Sequence, residues 1–281
     1  ASIDCSSPMS AYIAEEYPGF TAHYVEQEVQ DGTAGAVKLA EPYIDEDLLI
    51  IFVDTLFDAD LTIVKDLPEE VAGVIWVKEV EDYQRFGVIV RDDDGNMKRI
   101  VEKPTDPISK LANIGLYYIR DWKLLFEGIQ DTLESTKGAG EEFYLTDAFQ
   151  YMIDRGSRIR TIEVEGWYDA GKPDTLLETN RHLLETGQAL APKGGRNAHI
   201  NEPVRVEEGV TLEDCEIGPN VTLMSGAVVR GSKLRDSIVG AGTTIEDSEL
   251  HDSLIGEACV IRGAAWRSSS RSPSITTTPP A

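Results

Sequence analysis

Two carboxylates stand where a chain of alternating strands and helices would place chemistry. Asp54 directly follows the apolar run Leu48-Leu49-Ile50-Ile51-Phe52-Val53. In open α/β sheets ligands bind beyond the carboxyl ends of the strands. A carboxylate there suits a hard cation such as Mg²⁺, which is usually held by one or two carboxylates together with substrate phosphates. A helix N-cap or a turn is the alternative use of an Asp at that point. Asp169 is the second candidate, within Trp167-Tyr168-Asp169-Ala170-Gly171-Lys172-Pro173. It comes after a strand-like run and before a helix that Pro173 would start. Glu102-Lys103-Pro104 sets an acid beside a base, a pair able to accept sugar hydroxyls and to offset a phosphate. Exposed Glu-Lys pairs are common, so this pair alone decides little. Gln27 and Gly32 bracket the entry to a first helix. Gly32 would let a flat ring approach the backbone, or serves simply as a helix-start glycine. Histidines 23, 182, 199 and 251 show no metal spacing, and no Ser-His-Asp or Cys-His arrangement stands out. The run GTAGA at 32–36 lacks the dinucleotide fingerprint.

The elements that must position these residues follow from periodicity. Thr33 can cap a helix through Ala34–Ala40, and residues 48–53 read as a buried strand. Val71–Val77 and Val88–Val90 are further β-rich runs. Asp92-Asp93-Asp94-Gly95-Asn96 predicts a hairpin turn, because Gly and Asn tolerate the positive φ of tight turns. Ile114–Ile119 is another strand. Helices near 121–134 and 144–155, a strand at 158–164 and a helix at 173–186 complete the series. This alternation predicts an α/β domain over residues 21–190 with a largely parallel sheet, covered by helices on both faces. Residues 191–199, containing Pro192, Gly194 and Gly195, read as a linker.

Beyond the linker the period changes. Aliphatic residues fall at 200, 206, 212, 217, 223, 229, 234, 239, 245, 250, 255 and 261, in steps of five or six. Neither a helix nor a hairpin strand repeats that way. One inward aliphatic per hexad suits a three-sided parallel β-helix over 200–263, at about 18 residues per turn. That gives three to four turns, stacked, with the last needing a cap or a partner.

Composition excludes several classes of function. The 281 residues carry 50 acidic and 26 basic side chains, a formal charge of −24. Such a chain repels a phosphate backbone and an anionic membrane surface, so neither nucleic acid nor membrane is expected as a partner. The longest apolar run is far short of the about 20 residues that span a bilayer. No secretory signal is visible in residues 1–20. Cys5, Cys215 and Cys259 form neither a disulfide framework nor a zinc site by spacing. A cytoplasmic protein is expected, and the acidity also suits a salt-rich interior. Residues 264–281 are rich in Ser, Thr and Pro and contain no acid, which predicts a disordered tail, foreign to the rest in composition.

The motifs occur in an order of their own: QEVQDGTAGA (27–36), FVDTLF (52–57), RFGVIV (85–90), VEKP (101–104), NIGLYY (113–118), EFYLTDA (142–148) and GWYDAGKPDTLLETN (166–180). This set resembles the sugar-1-phosphate nucleotidyltransferases, in particular the long-form glucose-1-phosphate thymidylyltransferases with a C-terminal left-handed β-helix. The resemblance covers roughly residues 22–263 and implies a Rossmann-like nucleotidyltransferase domain. It implies that Gln27 and Gly32 contact the base, and that Asp54 and Asp169 hold Mg²⁺ between the phosphates. It places Gly87, Glu102, Lys103, Asn113 and Trp167 around the sugar-1-phosphate, with Lys103 also assisting the reaction. The implied reaction joins a nucleoside triphosphate, with deoxythymidine triphosphate (dTTP) the first choice, to a sugar-1-phosphate and releases pyrophosphate. The β-helix would serve oligomerisation or regulation.

Two departures bear on that expectation. The family opens with a strand and a Gly-rich loop of the form GxGTRLxPLT, which grips the triphosphate. Residues 1–20 do not resemble it, so the chain reads as N-terminally truncated or divergent by a βαβ portion, and low turnover is expected. Val53 stands where the family usually has Gly before the metal Asp. Competing readings are a non-catalytic sugar-nucleotide-binding or partner-subunit paralogue, a mannose-1-phosphate guanylyltransferase and a β-helix acyltransferase.

Overall fold

The computed structural model describes residues 8–136, 142–266 and 274–276. Its α/β part contains, in chain order, α1 (Pro8–Glu16), α2 (Thr33–Lys38), β1 (Leu48–Ile51), β2 (Thr55–Asp58), β3 (Val71–Glu79), β4 (Gly87–Arg91), β5 (Met97–Glu102), β6 (Leu111–Ile119), α3 (Trp122–Glu134), α4 (Leu145–Asp154), β7 (Arg158–Glu163), β8 (Gly166–Asp169) and α5 (Pro173–Leu183). The chain divides into two compact units. One holds residues 1–53 and 57–167; the other holds 54–56 and 168–281.

The first unit is built on a six-stranded sheet in the order β5-β4-β6-β3-β7, with β1 also paired to β6. β3 and β7 run parallel. The pairs β1–β6, β3–β6, β4–β5 and β4–β6 are antiparallel. The expectation of a largely parallel sheet is therefore corrected to a mixed one. Apolar runs mark strands but carry no information on their direction.

Side chains alternate across the sheet as the period of two requires. Ile75, Val77, Tyr117 and Ile119 face one core, joined by Leu125, Phe126 and Ile129 of α3 and Leu145, Phe149 and Met152 of α4. Val74, Trp76, Ile114 and Leu116 face the other. That second face is covered by the segment Phe57–Leu67, which includes a 3₁₀ turn at Leu61–Asp66, and no α-helix lies in that layer among the described residues. The expected helical cover thus exists on one face. Each fully buried large side chain here contributes roughly 1.5–3 kcal/mol.

Two local readings also change. The run at 48–53 forms a strand through Ile51 only, and Leu49 and Ile51 remain exposed, because β6 is the sole strand partner of β1 among the described residues. Thr33 begins α2 as a helical residue after Gly32, and its hydroxyl instead accepts a hydrogen bond from the Leu145 N–H at 2.9 Å. The hairpin turn forms as read: Asp92 Oδ1 accepts from the N–H groups of Asp94 and Asn96, and Gly95 has φ 81°.

The C-terminal segment is a parallel β-solenoid with three faces, the architecture expected of a left-handed β-helix. One face stacks Val204–Val206, Val221–Leu223, Ser237–Val239, Ser253–Ile255 and Ser274–Thr276. Val228 pairs with Thr244 sixteen residues on, and Thr211 with Val228 seventeen on. The turn is thus shorter than the expected 18 residues, because some sides take a five-residue step. The inward aliphatics from Val206 to Ile255 are buried. Between them, buried Ser and Thr hydroxyls accept from the backbone of the next turn: Ser248 N–H to Ser232 Oγ at 3.0 Å, Ser253 N–H to Ser237 Oγ at 3.1 Å, Cys259 N–H to Thr243 Oγ1 at 3.0 Å. Hydrogen bonds made in this way offset the desolvation cost of these buried hydroxyls. Cys215 and Cys259 are buried free thiols, and Cys5 lies outside the described residues. The tail read as disordered contributes Ala265–Trp266 and Ser274–Thr276 as solenoid strands. Residues 267–273 and 277–281 lie outside the described residues.

Candidate active site

In the first unit the sheet gathers Gly87, Glu102 and Asn113 from three adjacent strands. Gly87 pairs with Glu102 across β4 and β5. Asn113 on β6 donates its amide to the Gly87 carbonyl at 3.0 Å and accepts from the Tyr117 hydroxyl. Tyr117 lies four residues along the same strand, hence on the same face. Thr146, in the first turn of α4, donates to Glu102 Oε2 at 3.2 Å. Gly87 has no room for a side chain. A Cβ there would lie 2.4 Å from Asn113 Nδ2 and 2.7 Å from Glu102 Oε2.

Burial raises the Glu102 carboxyl above its ordinary range, and the neighbouring Lys103 and the Thr146 hydroxyl recover only part of that shift. Burial, aided by the Glu102 charge, also pushes the Tyr117 phenol well up, so it remains a hydrogen-bond donor. Lys103 follows Glu102 with a left-handed φ of 42° and sends its ammonium to the Tyr144 hydroxyl at 3.3 Å, 4.9 Å from the centre of that ring. Burial opposes the Lys103 charge, but Tyr144 and the surrounding acids more than offset it and hold its pKa above the ordinary value. Trp167 meets Phe86 edge-on at 5.0 Å.

Also in this unit, Gln27 donates to Asp31 Oδ1 at 2.8 Å and to the Gly32 carbonyl at 3.0 Å, closing the loop ahead of α2. Gly32 has φ 120°, and a Cβ there would lie 2.4 Å from the Phe143 carbonyl oxygen, which accepts from the Ala34 N–H. Glycine is required at 32 by backbone conformation and by the approach of Phe143.

The second unit carries both acids. The Ala170 N–H donates to the Asp54 carbonyl at 2.8 Å, and the Gly171 N–H to Asp169 Oδ1 at 2.9 Å. Asp169 Oδ1 and Asp54 Oδ2 each lie 3.0 Å from the point where a Gly171 Cβ would stand. The two carboxylates therefore border one small cradle that any other residue at 171 would fill. Among the described residues no group of three or more His, Cys, Asp and Glu side chains forms a metal cage. A carboxylate pair completed by substrate phosphates is the arrangement Mg²⁺ commonly uses, so the donor set fits that ion. Val53, 99% exposed, does not take a positive φ, and the loop before Asp54 accommodates it.

The candidate residues thus form two groups, one in each unit. Tyr117, Thr146 and Tyr144 escaped the sequence reading. The spacing of Tyr117 from Asn113 was the available signal; for Thr146 and Tyr144, packing of α4 on β5 supplies the contact, and no local pattern announces it.

Known proteins supply the family. The nucleotidyl transferase family model matches residues 6–186. The chain is 34% identical over 239 residues to the bifunctional protein GlmU of Methanococcus aeolicus, covering 77% of this chain and 56% of that protein. It is 29% identical over 244 residues to a glucose-1-phosphate thymidylyltransferase of Streptomyces antibioticus, covering 79% and 67%. It is 31% identical over 176 residues to the UTP--glucose-1-phosphate uridylyltransferase AglF of Haloferax volcanii, covering 61% and 70%. The chain spans about half the length of the first of these relatives. No helix among the described residues is long and apolar enough to cross a membrane. With the family model matched over well beyond half of its length, the chain belongs to the nucleotidyl transferase family, of the sugar-1-phosphate type.

Proposed function

We propose that this chain binds a nucleoside triphosphate and a sugar-1-phosphate and joins them into a nucleoside-diphosphate sugar, with dTTP and glucose-1-phosphate as the pair to try first. The observation that carries this reading is the polar cluster of Glu102, Asn113 and Thr146 around a glycine that must lack a side chain. Such preformed donors and acceptors suit a ligand rich in hydroxyls. The name of the Streptomyces relative supports the choice of thymidine and glucose. The AglF name makes UTP the next nucleotide to try.

In the reaction an oxygen of the sugar phosphate forms a bond to the α-phosphorus. The bond from that phosphorus to the α–β bridging oxygen breaks, and its electrons leave with pyrophosphate. The chain's own work is positioning and charge. Gln27 commits its amide nitrogen to Asp31 and Gly32, leaving its amide oxygen to accept from a base N–H. Glu102 and Asn113 orient the sugar, and Lys103 offsets its phosphate. Asp54 and Asp169 would hold Mg²⁺, whose chemistry is to neutralise the triphosphate and the leaving group.

Calorimetry tests the reading: dTDP-glucose and glucose-1-phosphate should bind the purified chain, and Glu102→Ala should abolish binding of the sugar phosphate. Absence of binding by every nucleotide sugar tried, at millimolar concentration, would sink it. Binding without any pyrophosphate release would favour a non-catalytic sugar-nucleotide-binding paralogue. Rapid pyrophosphate release would overturn the expectation of slow turnover.

A further inference from the structure

Both acids belong to the same compact unit as the solenoid, and α5 is the element that joins them within it. At one end of this connection, α5 grips the strand end that bears Asp169. Thr179, buried on α5, donates its hydroxyl to the Asp169 carbonyl at 3.1 Å. His182 stacks on the neighbouring Tyr168, ring centres 3.6 Å apart. At the other end, the residues between these two grip the solenoid. Arg181 Nη2 donates to Asp236 Oδ1 at 2.9 Å. Asn180 accepts from the Thr222 hydroxyl at 2.6 Å and donates to the Asn220 carbonyl at 3.3 Å.

Asp236 is itself well held. It sits at a solenoid corner with φ 46° and also receives Asn220 Nδ2 at 2.8 Å and Arg235 Nε at 3.1 Å. Burial works to raise its carboxyl, and the hydrogen bonds from Asn220 and Arg181 outweigh it, so the group stays ionised.

We infer that Arg181 and Asn180 are positioning residues for the acid pair: through α5, the solenoid fixes the backbone at Tyr168–Ala170 and thereby the approach of the Asp169 carboxylate to that of Asp54. Two like charges facing one cradle repel, so an unsupported pair would splay. Mg²⁺ demands near-ideal geometry of its ligands, and carboxylates that hold it depend on the groups behind them. The solenoid supplies that backing, since its Thr222 and Asp236 sit on stacked, parallel turns. The inference rests on the proposed reading of Asp54 and Asp169 as cation ligands.

Mn²⁺ binding by the full 281-residue chain, followed by electron paramagnetic resonance, separates the two claims. Asp169→Asn defines the site-specific part of the signal and should remove it. Arg181→Ala and Asp236→Ala should each weaken that part about tenfold, as losing an outer partner of a metal ligand does. Arg181→Lys and Thr222→Val, milder changes that preserve the fold, should weaken it less. Exchanging the charges, Arg181→Asp with Asp236→Arg, should restore part of the loss. A merely structural latch would lower the melting temperature and leave the Mn²⁺ affinity of the folded protein unchanged. If Asp169→Asn removes binding while all the latch variants bind as the parent does, the inference fails and the reading of the acids stands. If Asp169→Asn binds Mn²⁺ like the parent, the reading itself fails.

Discussion

Glu102 and Asp54 are both acids proposed to meet substrate, and they live in opposite surroundings. Glu102 lies among sheet residues, half-buried, beside Thr146, Asn113 and Lys103. Asp54 is exposed at a strand end, facing Asp169 across the Gly171 cradle. The difference follows from the partner each is suited to. A hydroxyl is neutral and must be recognised by groups already desolvated and aimed, or water competes equally well. A cation attracts its carboxylates from a distance and needs them charged, so solvent exposure is no handicap and burial would be one.

The largest expected effect lies on the exposed side. Asp54→Asn removes one charge of the pair and should weaken Mn²⁺ binding by more than about 100-fold, beyond what loss of an outer partner costs. The same change should leave binding of glucose-1-phosphate without metal nearly untouched. Equal losses in both assays, measured by calorimetry, would mean that the two regions do not divide the work as described.

Gly87→Ala attacks the buried side by volume alone. The new methyl group would displace the Asn113 amide and separate it from the Tyr117 hydroxyl, which is fully buried. An unpaired buried hydroxyl costs about 1–3 kcal/mol, so the melting temperature should fall. Misaiming the Asn113 and Glu102 hydrogen bonds, worth about 1 and about 1.5–3 kcal/mol, should cost on the order of 100-fold in sugar-phosphate affinity. Unchanged affinity in a folded Gly87→Ala variant would remove the cluster from the binding site.

How much of this was visible in the amino-acid order differs between regions for a physical reason. The solenoid was readable because each turn repeats one local rule, an aliphatic every five or six residues, and the same corner recurs with Asp214, Asp236, Asp247 and Asp252 at left-handed φ. The α/β strands were readable as strands, but their directions and partners were not. Leu49 and Ile51 resemble core residues in the sequence, and their exposure depends on which strand lies beside β1. Asp54 and Asp169 stood out because strand ends place ligands. The contacts of Thr146 with Glu102 and of Tyr144 with Lys103 join residues more than forty apart, and only the packing of α4 brings them together.

A smaller effect should come from Glu102→Gln, with its sign set by pH. An acid whose folded pKa is raised stabilises the fold fully below its unfolded pKa, about 4.3 for Glu, and loses that contribution as pH rises through the raised value. At pH 7 the parent therefore carries the cost of a half-buried charge, and the glutamine does not. Glu102→Gln should melt higher than the parent at pH 7, and the gap should close as the pH approaches 4. Affinity for the sugar phosphate should fall about tenfold, the difference between a charged and a neutral hydrogen bond. A gap in melting temperature that widens on acidification would show that Glu102 is stabilised in its charged form, contrary to its surroundings.

The smallest effect separates the sugar from its phosphate. Tyr144 meets the Lys103 ammonium with both its hydroxyl and its ring face. Tyr144→Phe keeps the ring and removes one hydrogen bond to an exposed cation, so the loss should be slight, about two- to threefold, at the low end of what a hydrogen bond contributes. The informative quantity is where the loss falls. If Lys103 offsets phosphate, binding of glucose-1-phosphate weakens while that of unphosphorylated glucose, acting through Glu102 and Asn113, does not change. Tyr144→Ala, which also removes the ring face, should enlarge the first loss and still spare the second. Parallel losses for both ligands would assign Tyr144 and Lys103 to the hydroxyl-binding cluster, and the division between buried groups for the sugar and surface charge for the phosphate would have to be redrawn.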